Sequence, residues 1–355
     1  MFDHLLLPLS GTRLDDEAIH HARSLALMTG GDLQLIYVLE PHRRGNQFAP
    51  IDILEWHAVR ADAEAYVKRV ADDLRDAGVK VDYSLPEGQT TEHIIHQAHQ
   101  GVDLMILPTG AFGREQVGSL GGQVLWRSYV STLLVRGRGW RRSTDTEPRK
   151  PTTRPADRVA PSATGPGAEA PVEDVTSAPA APAASAASAP LFRTVLVALD
   201  GCTRAECVLP AVRFLAQKSG AKIILAHVVE EPALPRLVPP TAEELELARR
   251  LVDINTAVAK DYLLDVQARL GFDVERRLAV GRSAAAELHK MVDDAGVDLV
   301  IMSAHGYGGD QEWPFGEVVT NLIGYGETSL LVIHDVPWTE RAGTHPDVTD
   351  EAWGR

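Results

Sequence analysis

Cysteine is almost missing from this 355-residue chain, which has only Cys202 and Cys207. Two thiols at that spacing cannot build a disulfide framework and lack the paired arrangement of a zinc site, so they read as residues without special chemistry. Long apolar runs are missing too. No stretch approaches the ~20 residues that cross a bilayer. The start, MFDHLLLPLSG, has no basic leader and breaks at Pro8, so it reads as a first strand rather than a signal peptide. Positive charge is in deficit, 35 Lys and Arg against 49 Asp and Glu, for a net −14 at pH 7. Nucleic-acid binders carry a basic face or stripe instead. Neither a membrane nor a nucleic acid is expected as partner, and cytoplasm is the expected compartment. A nucleophile elbow, a Walker loop and a paired-carboxylate site are all absent, so the chain does not read as an enzyme.

What is present is a duplication. DLVIMSAHGYGGDQEWPFGEVV, Asp298 to Val319, is an apolar run, a glycine-rich loop and a new helical pattern. That is how an α/β domain builds a phosphate site at the end of a parallel strand. DLMILPTGAFGREQVGSLGGQV, Asp103 to Val124, repeats it, with Asp103 matching Asp298 and Gly121 matching Gly316 at one offset (298 − 103 = 316 − 121 = 195).

The first copy reads as strand His4–Leu9, a helix ending at Gly30-Gly31, strand Leu33–Leu39, a loop Pro41–Pro50 and a long helix from about Ile51, stopped by Gly78. An edge strand Val79–Leu85 follows, then a helix capped by Thr90 or Thr91, strand Val102–Leu107, a last helix from about Gly122 and strand Ser131–Arg136. The second copy opens at Phe192 with the same βαβ unit, Ser10 matching Asp200 and Gly30 matching Gly220 at offset 190. Thr241 and Glu244 form a capping box for its long helix, which Gly271 stops. Phe272–Leu278, Val297–Met302 and Ser329–Ile333 supply its later strands. The expected division is 1–137, a flexible Ala/Pro/Ser-rich linker 138–190, 191–335, and a flexible tail 336–355.

VLVALDG, HVVEEP, GRSAAAEL and VDLVIMSAHG in the second copy, together with the element order, resemble the universal stress protein family in a tandem form. The resemblance covers Phe2–Arg136 and Phe192–His334. It implies two Rossmann-like, five-stranded parallel-sheet domains of the adenine nucleotide alpha hydrolase-like kind, each in strand order 3-2-1-4-5. It also implies a stress-response role and a pseudo-dimer of the two halves through their last strands. A homo-oligomer and protein partners of unspecified identity complete the expectation.

In the nucleotide-binding branch of that family the loop reads G-x-x-G, nine residues, then G-S or G-T. Here Gly306 and Gly316 keep the second and third glycines, while Ser303 replaces the first and Glu317 replaces the closing hydroxyl. By the resemblance, Ala198, Leu199, Asp200, Val228 and Met302 would line the adenine and ribose end, and Ser303, Gly306, Gly316, Glu317 and Val318 the phosphate end. A carboxylate at the start of the last helix suits the helix dipole, so one reading has Glu317 occupying the anion site itself and nucleotide binding weak or lost. The other has ATP, with magnesium, bound in the second half. The first half departs further: Ser10, Pro108, Ala111 and Gly122 stand where binding needs other residues. An adenylating enzyme would need a pyrophosphate-gripping loop after the first strand, which LSGTR and LDGCT do not supply.

Two other groups attract notice. His93, His96 and His99 share a helix but have no acidic or thiol partner, and read as surface histidines rather than metal ligands. Trp313 and Phe315 flank Pro314 in the glycine loop and read as packing anchors before base-stacking groups.

Overall fold

The computed structural model describes residues 1–40, 43–44, 47–48, 53–109, 120–136, 191–234, 239–307 and 314–335. The expected linker, the tail, Trp313 and the centres of both glycine loops lie outside them.

In the first half β1 (His4–Pro8), α1 (Leu14–Thr29), β2 (Asp32–Ile36), α2 (Ile53–Asp76), β3 (Lys80–Ser84), α3 (Thr90–Ala98), β4 (Leu104–Pro108), α4 (Leu120–Ser128) and β5 (Thr132–Val135) alternate along the chain. The second half repeats the series: β6 (Thr194–Ala198), a 3₁₀ turn Ala205–Val208 running into α5 (Leu209–Ser219), β7 (Lys222–Glu230), α6 (Ala242–Leu270), β8 (Glu275–Gly281), α7 (Ala284–Ala295), β9 (Leu299–Ser303), α8 (Glu317–Tyr325) and β10 (Ser329–Ile333). Arg43–Arg44 and Gln47–Phe48 form a separate small ladder.

Each half has the order 3-2-1-4-5, read as β3-β2-β1-β4-β5 and β8-β7-β6-β9-β10, with parallel pairing throughout. β5 and β10 pair antiparallel, Leu133 opposite Leu331, so ten strands make one sheet. Backbone amides bond reciprocally there: Arg136 N–H donates to Ser329 Oγ and His334 N–H to Ser131 Oγ.

The strands bury both faces, as parallel strands sandwiched by helices do. Alternation sends Leu5, Leu7, Val195 and Val197 to one layer with α1, α2, α5 and α6, and Leu6, Leu196, Val300 and Met302 to the other with α3, α4, α7 and α8. The matched aspartates do the same work in each half. Asp103 Oδ2 accepts the amides of Asp3 and His4, and the Asp298 carboxylate accepts those of Arg193 and Thr194, fixing where β1 and β6 begin.

Several boundaries follow local chemistry as expected. Thr241 and Glu244 satisfy each other's backbone amides at the start of α6, and Gly30, Gly220 and Gly271 end their helices with positive φ. Others differ. The regular part of β2 stops at Ile36, leaving Leu39 in a single bridge to Glu87. Neither Thr90 nor Thr91 caps α3: Gln89 holds the cap position without a capping bond of its own, and the Thr90 amide is taken by the Glu40 carboxylate at 3.0 Å. β8 lies three residues later than expected because its ladder follows the long β7 out to Glu230.

Candidate functional site

β6 sits between β7 and β9 in the sheet. At such a reversal of strand order the loops leaving neighbouring strands diverge, which is where open α/β sheets take ligands. Ala198, Val228, Met302 and Val318 all belong to the α7/α8 layer at this end of the sheet. Leu199 does not join them. Its side chain packs into the opposite layer, and its carbonyl lies 2.9 Å from His227 Nδ1. Burial lowers the pKa of that histidine ahead of any other influence, and its ring meets Tyr262 at 6.4 Å.

Asp200 is exposed at the end of β6, and its carboxylate is engaged by the glycine loop. Oδ1 accepts the Cys202 amide at 3.0 Å and Oδ2 the Tyr307 amide at 2.6 Å. The same oxygen lies so close to the α-carbon of Gly306 that any β-carbon there would overlap it. Gly306 therefore serves a close approach, to a carboxylate of the protein itself.

Beneath this contact is a buried polar cluster. Ser303 Oγ donates to the His305 carbonyl. His305 Nδ1 lies 2.9 Å from Asp335 Oδ1, and Arg204 Nε donates to Asp335 Oδ2 at 2.7 Å. Burial would raise the Asp335 pKa, but the hydrogen bonds from His305 and Arg204 together hold it well below the usual carboxylate range. Cys207 borders the cluster as a free thiol, pushed up to about 12 by burial and then by the Asp335 charge.

Gly316 is the N-cap of α8 and contributes no side chain, while its amide donates to the Ala304 carbonyl at 2.8 Å. Glu317, the first residue of α8, is exposed and has no hydrogen-bond or ion-pair partner among the described residues. Phe315 is buried against Trp126 at 5.3 Å and His334 at 5.4 Å, anchoring the end of the loop to the first half.

The equivalent place in the first half is closed by a residue that sequence reasoning missed. Asp15, in the first turn of α1, is fully buried, and its carboxylate accepts the amides of Ser10 and Gly11, the Ser10 hydroxyl and the Tyr66 hydroxyl. Burial raises the Asp15 pKa, with these donors opposing it. Tyr37 and Tyr66 stand in the first half where His227 and Tyr262 stand in the second, with ring centroids 6.2 Å apart. α4 begins at Leu120, so Gly121 is inside the helix rather than at its cap as Gly316 is. Only an acidic residue in a first helical turn hinted at Asp15 in the sequence, and that is ordinary.

Arg136 was also missed. It follows β5 in the first half, yet its guanidinium donates to the carbonyls of Leu322, Ile323 and Thr328 in the second, at 3.0, 2.8 and 3.1 Å. It thus caps the C-terminus of α8, the helix whose N-terminus belongs to the candidate site. In the first half His99 takes the matching duty for α4, with Nε2 2.9 Å from the Ser128 carbonyl. His93 is likewise turned to a backbone carbonyl, that of Glu87, so two of the three helix histidines are half-buried and engaged rather than on the surface.

Comparison with known proteins agrees with the fold. The sequence model of the universal stress protein family matches residues 1–136 and 191–334. A universal stress protein of Methanocaldococcus jannaschii is 26% identical over 157 residues, which cover 40% of this chain and 95% of that protein. The crystal structure of a universal stress protein from Archaeoglobus fulgidus resembles the fold with a TM-score of 0.62 at 15% identity, covering 95% of this chain and 100% of that one. A protein of unknown function from Pseudomonas aeruginosa gives 0.58 at 13%, covering 94% and 92%.

Proposed function

Because the chain belongs to the universal stress protein family, with two copies of its domain in one polypeptide, we propose that it is a non-catalytic stress-response module. It acts through a pseudo-dimer of its halves and through protein partners, and nucleotide binding in its second half is weak or lost. One observation carries the last point: Asp200 already accepts the Tyr307 amide and packs on Gly306. Those are groups a phosphate would use at such a loop. Glu317 adds a second carboxylate at the start of α8. ATP suits this set at its adenine end, where half-buried Ala198 and Val228 beside buried Met302 are apolar, and does not suit it at its phosphate end. Magnesium, which is held by one or two carboxylates together with substrate phosphates, would have to bridge a carboxylate such as Glu317 to the nucleotide.

The second reading is an ATP-binding stress protein with its site in the second half. What favours it is the placement of Ala198, Asp200, Val228 and Met302 at the reversal of strand order, where open α/β sheets take ligands. Heating purified protein and analysing the supernatant for adenine compounds separates the two. Little or none released supports a closed site, and about one equivalent per chain supports the ATP reading.

A further inference from the structure

α6 runs for 29 residues, yet its buried side chains, Ala259, Leu263, Val266 and Leu270, all lie in its C-terminal half. No residue from Ala242 to Val258 is buried. At ~1.5 Å per residue, roughly 25 Å of helix therefore has no fully covered side chain. That part is not polar. Leu247, Leu251, Ile254 and Val258 are 59%, 42%, 59% and 63% exposed. Their 4-3-4 spacing lines them up along one side. At ~100° per residue the stripe lies about 120° around the helix from the buried face, so it does not continue the seam that packs on the sheet.

Isolated exposed apolar residues are ordinary on a protein surface. An aligned row of four, on a second face of a helix already anchored by its first, is an interaction surface. The duplication supplies an internal control. Ala63, Val67, Val70 and Leu74 of α2 match Ala259, Leu263, Val266 and Leu270 at offset 196, so the core-facing side is kept in both halves. At that offset Leu247 matches the apolar Ile51, but Leu251, Ile254 and Val258 match Glu55, Ala58 and Asp62, so two of the four positions are acidic there. The stripe is particular to the second half.

We propose that this stripe pairs with the same stripe of a second copy of the chain, the two α6 helices lying antiparallel. The spacing is self-complementary. In an antiparallel pair Leu247 meets Val258 and Leu251 meets Ile254, since 247 + 258 = 251 + 254 = 505. Each layer then joins an a-type and a d-type position, as side chains interlock between paired helices. The next positions along the seam are Glu244 on one side and Asp261 on the other, so each end sets two carboxylates together and limits the contact to four layers. Four layers of one helix pair make a small contact beside the ~1,200–2,000 Å² of stable specific complexes, so self-association is expected to be weak and concentration-dependent.

Sedimentation velocity of the full-length protein from 1 to 200 μM tests this. Concentration-dependent dimers are expected for wild type, and Leu251→Glu and Ile254→Glu, both at exposed positions, should remain monomeric with unchanged far-ultraviolet circular dichroism. Asp261→Lys reads the orientation. Antiparallel helices place the new lysine beside Glu244 of the other copy and should tighten association about tenfold, whereas parallel helices exchange an Asp–Asp pair for a Lys–Lys pair and leave it about unchanged. A wild type that stays monomeric at 200 μM overturns the proposal, as do dimers that survive both glutamate substitutions. Unchanged or weaker association of Asp261→Lys overturns the antiparallel arrangement.

Discussion

The carboxylate of Asp200 packs on the α-carbon of Gly306 and accepts the amide of Tyr307, so a strand-end residue and a loop glycine 106 positions apart form one contact. Gly306→Ala should break it by pushing the exposed carboxylate into water rather than by distorting the core. The expected loss is about 1 kcal/mol, one hydrogen bond's worth. Asp200→Ala should cost a similar amount, and the double substitution no more than either alone. A double-mutant cycle from urea unfolding measures this, and additive losses would show that the two residues act separately.

Arg136→Met keeps the aliphatic stem and removes the donors to Leu322, Ile323 and Thr328. Burial lowers the guanidinium pKa to about 10, which leaves it charged at neutral pH. Its loss should cost about 2–4 kcal/mol, because a charged donor is withdrawn from several carbonyls at once. Hydrogen exchange should report faster opening of α8 and of the β5–β10 pair, with β2 and β3 little changed. Uniform loss of protection across both halves would contradict this local role.

Asp335 gives the second half an acid limit. A carboxyl whose folded pKa lies below its unfolded value contributes stability that is present above the unfolded value and lost as pH falls through the folded one. Starting from the ordinary 3.8, that loss should begin below about pH 4. Asp335→Asn should forfeit the contribution at neutral pH and flatten the acid limb of the stability curve. Unfolding midpoints between pH 3 and 7 check it, and parallel curves for the two proteins would sink the assignment.

Duplication, most strands and several helix ends were legible because they rest on local patterns, while the strand order came with the family resemblance. Examples are the apolar runs of β1, β4, β6 and β9, the Thr241–Glu244 box, and glycines at helix stops. Sites built from distant parts were not. Asp15 and Tyr66 meet across 51 positions, Arg204 and Asp335 across 131, and Arg136 and Leu322 across 186. Nothing in the local sequence distinguishes those residues from solvated charges, and their partners exist only once both halves share a sheet. Leu199 shows the reverse. Its neighbour Ala198 packs in the α7/α8 layer, but strand alternation turns its own side chain to the other face.

Calorimetric titration with Mg-ATP near neutral pH, on wild type and Glu317→Ser, tests the proposed closed site most directly. Removing one like charge at ~4 Å from a phosphate is worth about 1–4 kcal/mol, or roughly fivefold to several hundredfold in affinity. Wild type should bind weakly or not at all, Glu317→Ser measurably tighter, and Gly122→Ser in the first half should change nothing. Tight binding by wild type, unchanged in Glu317→Ser, would contradict a closed phosphate end and favour the ATP-binding reading.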